Sequence, residues 1–308
     1  MMHTFTAGSN LMSIKERRGA AFRRALFVLI LCVLIPVYPA AQAAPSVFGK
    51  DASRISFVSL GPTITEKLYL LGVEDRLTGV TTYCTRPPAA CTKEKVGSVT
   101  EVSIEKVIDL RPDVIFATSL MEARAVRSFR RIGMTVAVFR EPASFAEMNE
   151  QFIDLGRMVG KEERAREIVR LAEHKVARIR ERVSGLAAPK VFIQIGSKPL
   201  FTATRHSFLN DMVEFAGAAN IAADAKSGLY SREQVLVRNP DVILITGMGI
   251  VPQAEKKVWQ RFSALDAVRN NRIFMLDAYT TCSPTPETFV EALYDVAAAV
   301  HPGLEGRE

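Results

Sequence analysis

Only four cysteines, four histidines and one tryptophan occur in 308 residues. Four cysteines are too few for a fold held together by a disulfide framework. The uncharged run ALFVLILCVLIPV at 25–37 has 13 residues, short of the ~20 that a helix needs to cross a bilayer. The chain has no G-x-S-x-G elbow, no H-E-x-x-H pair and no P-loop, which removes the usual marks of hydrolases, zinc peptidases and nucleotidases. Low-complexity stretches and Gly/Ser linkers are also missing. What remains is 48% hydrophobic and 24% charged, a balance that excludes both disorder and a multi-span membrane protein.

The net charge of +7 comes from 40 Lys+Arg against 33 Asp+Glu, and its placement decides its meaning. Lys15, Arg17, Arg18, Arg23 and Arg24 precede the apolar run, Pro36 and Pro39 break it, and Ala41-Gln42-Ala43 supplies the small residues of a cleavage site. Residues 1–43 therefore read as a signal peptide cut near Ala43, with export to the periplasm. Cys32 follows Leu31 rather than a small residue, which predicts no lipid there. Five basic residues and one acidic residue leave with the signal, so the exported chain carries 35 against 32, or +3 over 265 residues. Arg124, Arg127, Arg130 and Arg131 read as the solvated face of a helix. No basic stripe with interleaved aromatics remains, and nucleic acid is not an expected partner.

An internal repeat organises the exported chain. SIEKVIDLRPDVIFAT at 103–118 and SREQVLVRNPDVILIT at 231–246 are identical at eight of 16 positions. Each copy reads as a short helix, a Pro-Asp turn and a buried strand. RISFVSLGP at 54–62 and KVFIQIGSKP at 190–199 precede the copies as strands ending in glycine turns, and TVAVF at 135–139 and RIFML at 272–276 follow them as strands. Alternating strands and helices predict parallel sheets with helices on their faces. Between the halves, residues 161–183 carry one apolar stripe on a charged helix: Ile168, Leu171, Ala172, Val176, Ile179 and Val183. At 1.5 Å per residue that helix spans ~35 Å. The expected architecture is α/β: two Rossmann-like lobes, 44–160 and 185–308, joined by a single long backbone helix at 161–184.

The order and spacing of these segments, together with GVTTYCTRPPAA, Val96-Gly97, and Pro199, Phe201 and Thr202, resemble the substrate-binding proteins of ATP-driven (ABC) importers for cobalamin, haem and ferric siderophores. The resemblance runs over roughly residues 54–302 and is closest to cobalamin-binding members. It implies a receptor, not an enzyme, that holds a metal chelate between its lobes and delivers it to an ABC permease, working as a monomer without a catalytic cofactor. One glutamate per lobe would meet permease arginines; the matching positions are Glu105 and Glu233, which the repeat makes equivalent. A pseudo-two-fold partner suits a two-fold permease, and a carboxylate accepts a bidentate pair from arginine. Both glutamates also follow a serine in the first turn of a helix, where the macrodipole favours them.

The resemblance places Tyr83, Phe201, Thr202 and Tyr279 at the ligand, with Arg205, His206 and Tyr230 beside it. Where cobalamin binders carry tryptophans this chain has Val99, Thr118 and Ser227, its tryptophan being Trp259. Cobalamin or a related corrinoid is the first expectation. Haem coordinated through Tyr83 or His206 is the second, and a ferric siderophore would want more arginines than Arg205. Export favours disulfides, and Cys84 and Cys91 flank a Pro-Pro turn, so a loop-stapling bridge between them is expected, leaving Cys282 as a thiol near the cleft.

Overall fold

The computed structural model describes residues 54–304, apart from 122, 248 and 250. The expected signal peptide, residues 1–43, lies outside the described residues.

Among the described residues, ten strands form two sheets. The first contains β1 (Phe57–Leu60), β2 (Leu77–Val80), β3 (Glu94–Lys95), β4 (Val114–Thr118) and β5 (Thr135–Phe139), all parallel, in the order β3-β2-β1-β4-β5. The second contains β6 (Lys190–Ser197), β7 (Leu200–Thr202), β8 (Ala219–Asn220), β9 (Val242–Ile245) and β10 (Ile273–Met275). Its path is β10-β9-β6-β7, with β7 antiparallel to the end of β6 and β8 parallel to its start. The helices are α1 (Pro62–Leu70), α2 (Ile104–Asp109), α3 (Ala123–Arg131), α4 (Phe145–Met158), α5 (Glu162–Val183), α6 (Phe208–Phe215), α7 (Arg232–Arg238), α8 (Pro252–Trp259), α9 (Asp266–Arg269), α10 (Ala278–Cys282) and α11 (Pro286–Val300).

The central strands are apolar throughout because both of their faces are covered, as parallel sheets require. In β6, Val191 and Ile193 face one core and Phe192 the other. In β1, Phe57 and Val58 divide between two cores in the same way. Trp259 is wholly buried beneath the second sheet, and its indole N–H donates to Gln194 Oε1 at 2.6 Å.

Helix α5 serves both lobes with one stripe. Ala165, Ile168 and Val169 enter the core of the first lobe, and Ala172, Val176 and Ile179 that of the second. Helix α4 is divided in the same manner: Phe152 and Leu155 pack in the first core, Phe145 and Met148 in the second. Phe145 stacks on Phe289 at 4.4 Å, and its N–H donates to Asp211 Oδ2 at 2.7 Å. Two adjacent helices with side chains in both cores make the junction stiffer than a loop would.

The repeat is structural as well as textual. Ser103 and Ser231 cap α2 and α7, accepting from the N–H of Lys106 and Gln234, each at 3.2 Å. Arg111 and Asn239 then take left-handed φ values of 47° and 45° ahead of the Pro-Asp turns. Asp113 Oδ2 accepts from the N–H of Ser56 at 2.9 Å, and Asp241 Oδ2 from the N–H of Lys190 at 2.7 Å. Each aspartate thus pins the entry of its lobe's central strand, which is a structural role. Replacing either by alanine leaves a strand N–H without its acceptor and is expected to cost about 1–3 kcal/mol. The check is a lower urea midpoint at unchanged m-value.

Arg124, Arg127, Arg130 and Arg131 are all exposed on α3, as a solvated face should be. Cys84 and Cys91 do not form the expected bridge; both are free thiols. Cys84 is buried in the first lobe's core, its Sγ 3.1 Å from the hydroxyls of both Thr65 and Thr81. Cys91 is exposed on the one-turn helical segment Pro88–Thr92, with its Sγ toward the Thr85 carbonyl. Spacing brought the two near in sequence, but the segment between them turns one thiol inward and the other out.

Candidate functional site

The parallel strands of the first sheet all end on one side, and the segments leaving their carboxyl ends wall a cavity of about 610 Å³. This is where open α/β sheets place their ligands. The segment after β1 contributes Pro62 and Ile64, that after β2 Thr82 and Tyr83, and that after β3 Val99 and Thr100. Thr118 and Leu120 follow β4, and Arg140 and Glu141 follow β5. The second lobe closes the space with Phe208 at the start of α6 and with Tyr279, Cys282 and Pro284 after β10.

The loop after β3 is set by Gly97. Its φ is +124°, and a Cβ there would lie 2.3 Å from the Glu101 carbonyl oxygen. Only glycine allows this approach, which holds Val99 and Thr100 at the cavity. Tyr83 stands 62% exposed on the β2 loop, its ring free to meet a ligand.

Tyr279 is held differently. Asp277 caps α10 by accepting from the N–H groups of Tyr279 and Thr280, at 2.8 and 2.9 Å. The Arg86 guanidinium lies 4.2 Å from the centre of the Tyr279 ring and 3.8 Å from Asp277. This cation–π contact ties the first lobe to the second, and the Thr63 hydroxyl adds a 3.4 Å bond to the Ser283 carbonyl. The Tyr279 hydroxyl is buried with no hydrogen-bond partner among the described residues. Burial pushes its phenol well above the ordinary range, aided by the nearby Glu66 charge and opposed by Arg86.

Glu66, also on α1, lies near Arg86, Tyr279 and the α11 glutamates, and its Oε2 is buried with no hydrogen-bond partner among the described residues. Its carboxyl is pushed up by burial and by Glu291 and Glu287, with Arg86 pulling the other way. Lys67, the next residue, lines the cavity and is 9% exposed. Burial lowers its ammonium to about 8, with Glu141 and Glu66 opposing the shift.

Of the residues expected at the ligand, Tyr83 and Tyr279 line this cavity and come from opposite lobes. Val99 and Thr118 line it as well. Phe201, Thr202, Arg205, His206 and Tyr230 do not. Phe201 is half-exposed on the short edge strand β7, whose backbone bonds to Gly228 and Tyr230. Thr202 is buried and donates to the Ile193 carbonyl at 2.6 Å. Arg205 donates to the Ala223 carbonyl at 3.1 Å, and His206 is exposed ahead of the α6 cap. Tyr230 stacks on Phe192 at 5.8 Å and lines a second hollow with Glu233 and Val237. Lys67, Arg86, Arg140 and Phe208 belong to the site or its rim without having been singled out in the sequence. The Cys282 thiol lines the cavity, 3.6 Å from the Thr246 hydroxyl.

Two α/β lobes, helices that share both cores, and a cavity between the lobes define a two-lobed solute-binding protein. The family described as periplasmic binding protein matches residues 57–280, and the chain belongs to it. An uncharacterised ABC transporter substrate-binding lipoprotein of Bacillus subtilis is 30% identical over 261 residues, covering 82% of this chain and 81% of the relative. The vitamin B12-binding protein of Vibrio cholerae is 28% identical over 263 residues, covering 84% and 92%. A crystal structure of the periplasmic vitamin B12-binding protein of Vibrio cholerae superposes with a TM-score of 0.69 at 26% identity, over 80% of this chain and 97% of that one.

Proposed function

We propose that this protein is the periplasmic cargo-binding component of an ABC importer and that its cargo is cobalamin or a related corrinoid. The observation that carries the reading is the inter-lobe cavity faced by one tyrosine from each lobe, Tyr83 and Tyr279. Its volume falls within the ~300–1,000 Å³ usual for small-molecule sites, and flat aromatic faces suit the rim of a macrocycle. The likeness to vitamin B12-binding proteins over nearly their whole length supports the corrinoid. Export by the segment 1–43 and delivery to a permease through Glu105 and Glu233 complete the proposal.

Absorbance titration of the processed protein with cobalamin tests it. Saturable one-to-one binding is expected, with Tyr83→Ala weakening it about tenfold, which is ~1.4 kcal/mol. A Soret shift with haem and no response to cobalamin reassigns the cargo to haem. The exposed Tyr83 phenol on the cavity favours that second reading, with Tyr83 rather than the outlying His206 as the iron ligand.

A further inference from the structure

Three polar groups around the cavity are unspent. The Lys67 side chain is 9% exposed, lines the cavity, and has no hydrogen-bond or ion-pair partner among the described residues. Thr118 and Tyr279 belong to the same lining, and their hydroxyls are buried without hydrogen-bond partners among the described residues. Thr118 lies against the start of α1, the helix that carries Lys67: a Cβ on Gly61 would come within 2.6 Å of Thr118 Cγ2. The other cation of the lining, Arg140, is engaged by Glu147 at 2.6 Å.

A buried ammonium normally has a counter-charge in contact. Glu141 and Glu66 act on Lys67 only from a distance, without an ion pair. The charge is therefore held ready without being spent inside the protein.

We propose that Lys67 is an anion-recognition residue, binding an anionic oxygen group, carboxylate or phosphodiester, on the periphery of the cargo, with the Thr118 hydroxyl as a second donor. This rests on the cargo reading above, and it adds a charge requirement to it. A neutral chelate of the same shape satisfies the aromatic faces but leaves the ammonium bare. An anionic one satisfies both.

The test compares the processed wild-type protein with Lys67→Met, which keeps length and removes charge. Binding is measured for two pairs: haem and its dimethyl ester, which lacks free carboxylates, and cobalamin and cobinamide, which lacks the nucleotide arm that carries the phosphodiester. Melting of the cargo-free proteins is measured in parallel, with and without inorganic phosphate. Lys67→Met is expected to melt higher than wild type when cargo-free, and to lose tenfold or more in affinity for the member of a pair that bears the anionic group while binding the member without it unchanged. Loss with haem but not its ester assigns a carboxylate; loss with cobalamin but not cobinamide assigns the phosphodiester. The proposal is overturned if Lys67→Met melts below wild type, which would make Lys67 a structural partner of Glu141, or if both members of a pair lose affinity equally. If the wild type binds none of the four, the cargo reading falls by itself. The anion site then stands if phosphate raises the melting temperature of wild type and not of Lys67→Met, and falls if the two respond alike.

Discussion

The Glu105→Ala, Glu233→Ala double variant is expected to bind cargo with wild-type affinity and to support no uptake. Each glutamate is the second residue of its short helix, one place after the residue that follows the capping serine. Both side chains are exposed and neither lines the cavity between the lobes. Their own backbone and serine environments keep them available: Ser103 Oγ lies 3.4 Å from Glu105 Oε2. A hydrogen bond from its own backbone N–H, then Ser231 and Arg232, hold the Glu233 carboxyl below the ordinary range, so it is ionised at neutral pH. The caps use Ser103 and Ser231, which the substitutions leave in place, so stability should change by no more than ~0.5 kcal/mol. Uptake by a reconstituted importer, measured beside equilibrium binding, separates the two functions. Each single variant should retain partial uptake, because the other half of a two-fold interface survives. Full uptake by the double variant would remove the glutamates from docking.

The lobes were legible because their information is local and duplicated. Ser-x-Glu before an apolar pair, then Pro-Asp before a buried strand, specifies a capped helix, a left-handed stop and a pinned strand in both halves. The stripe at 161–183 is a helix at Glu162–Val183 for the same reason, except that Leu171, expected in the stripe, is 54% exposed. Tyr83 was legible as a cavity residue because it sits on a polar, proline-bearing loop where an aromatic has little core to join; Tyr279 lies in the short helix α10 beside such a segment, with its hydroxyl buried. The segment Phe201–His206 carries similar residues, yet β7 pairs with the backbone at 228–230 and turns Thr202 inward to Ile193. No pattern within that segment indicates which way the hairpin faces. Lys67 was invisible for a different reason. It lies three residues after Ile64 and beside Leu68 on α1, and a lysine in a short helix is ordinarily solvated. Only the strand-end segments that close over it create its burial. Helix α11 buries a stripe of Phe289, Val290, Leu293, Val296 and Val300, but its partner Phe145 comes from α4, far away in the chain, which no local pattern indicates.

Lys67 also has a signature in stability. Its ammonium titrates at about 8 in the folded protein against an ordinary 10.5. The charged form is thus disfavoured by folding, and the gap corresponds to about 3 kcal/mol. Below pH 8 both folded and unfolded chains hold the proton and the folded state bears the whole cost. Between about 8 and 10.5 the unfolded chain binds the proton and the folded one has released it, so stability rises with pH; above 10.5 the cost is gone. Lys67→Met bears no such cost at any pH. The wild type should therefore be less stable than Lys67→Met by about 3 kcal/mol at pH 7, with the difference closing as pH passes from 8 to 10.5. Glu141 and Glu66 attract the ammonium and both titrate above the ordinary carboxylate range, so acid that neutralises them widens the difference again. Urea unfolding of the two proteins across pH, taken as a difference, cancels the other titrating groups. A difference that is flat in pH would mean that the ammonium is as well solvated in the folded protein as in the unfolded chain. Saturation with an anionic cargo should shift the onset of closure to higher pH, because the counter-charge restores the ammonium toward its ordinary value.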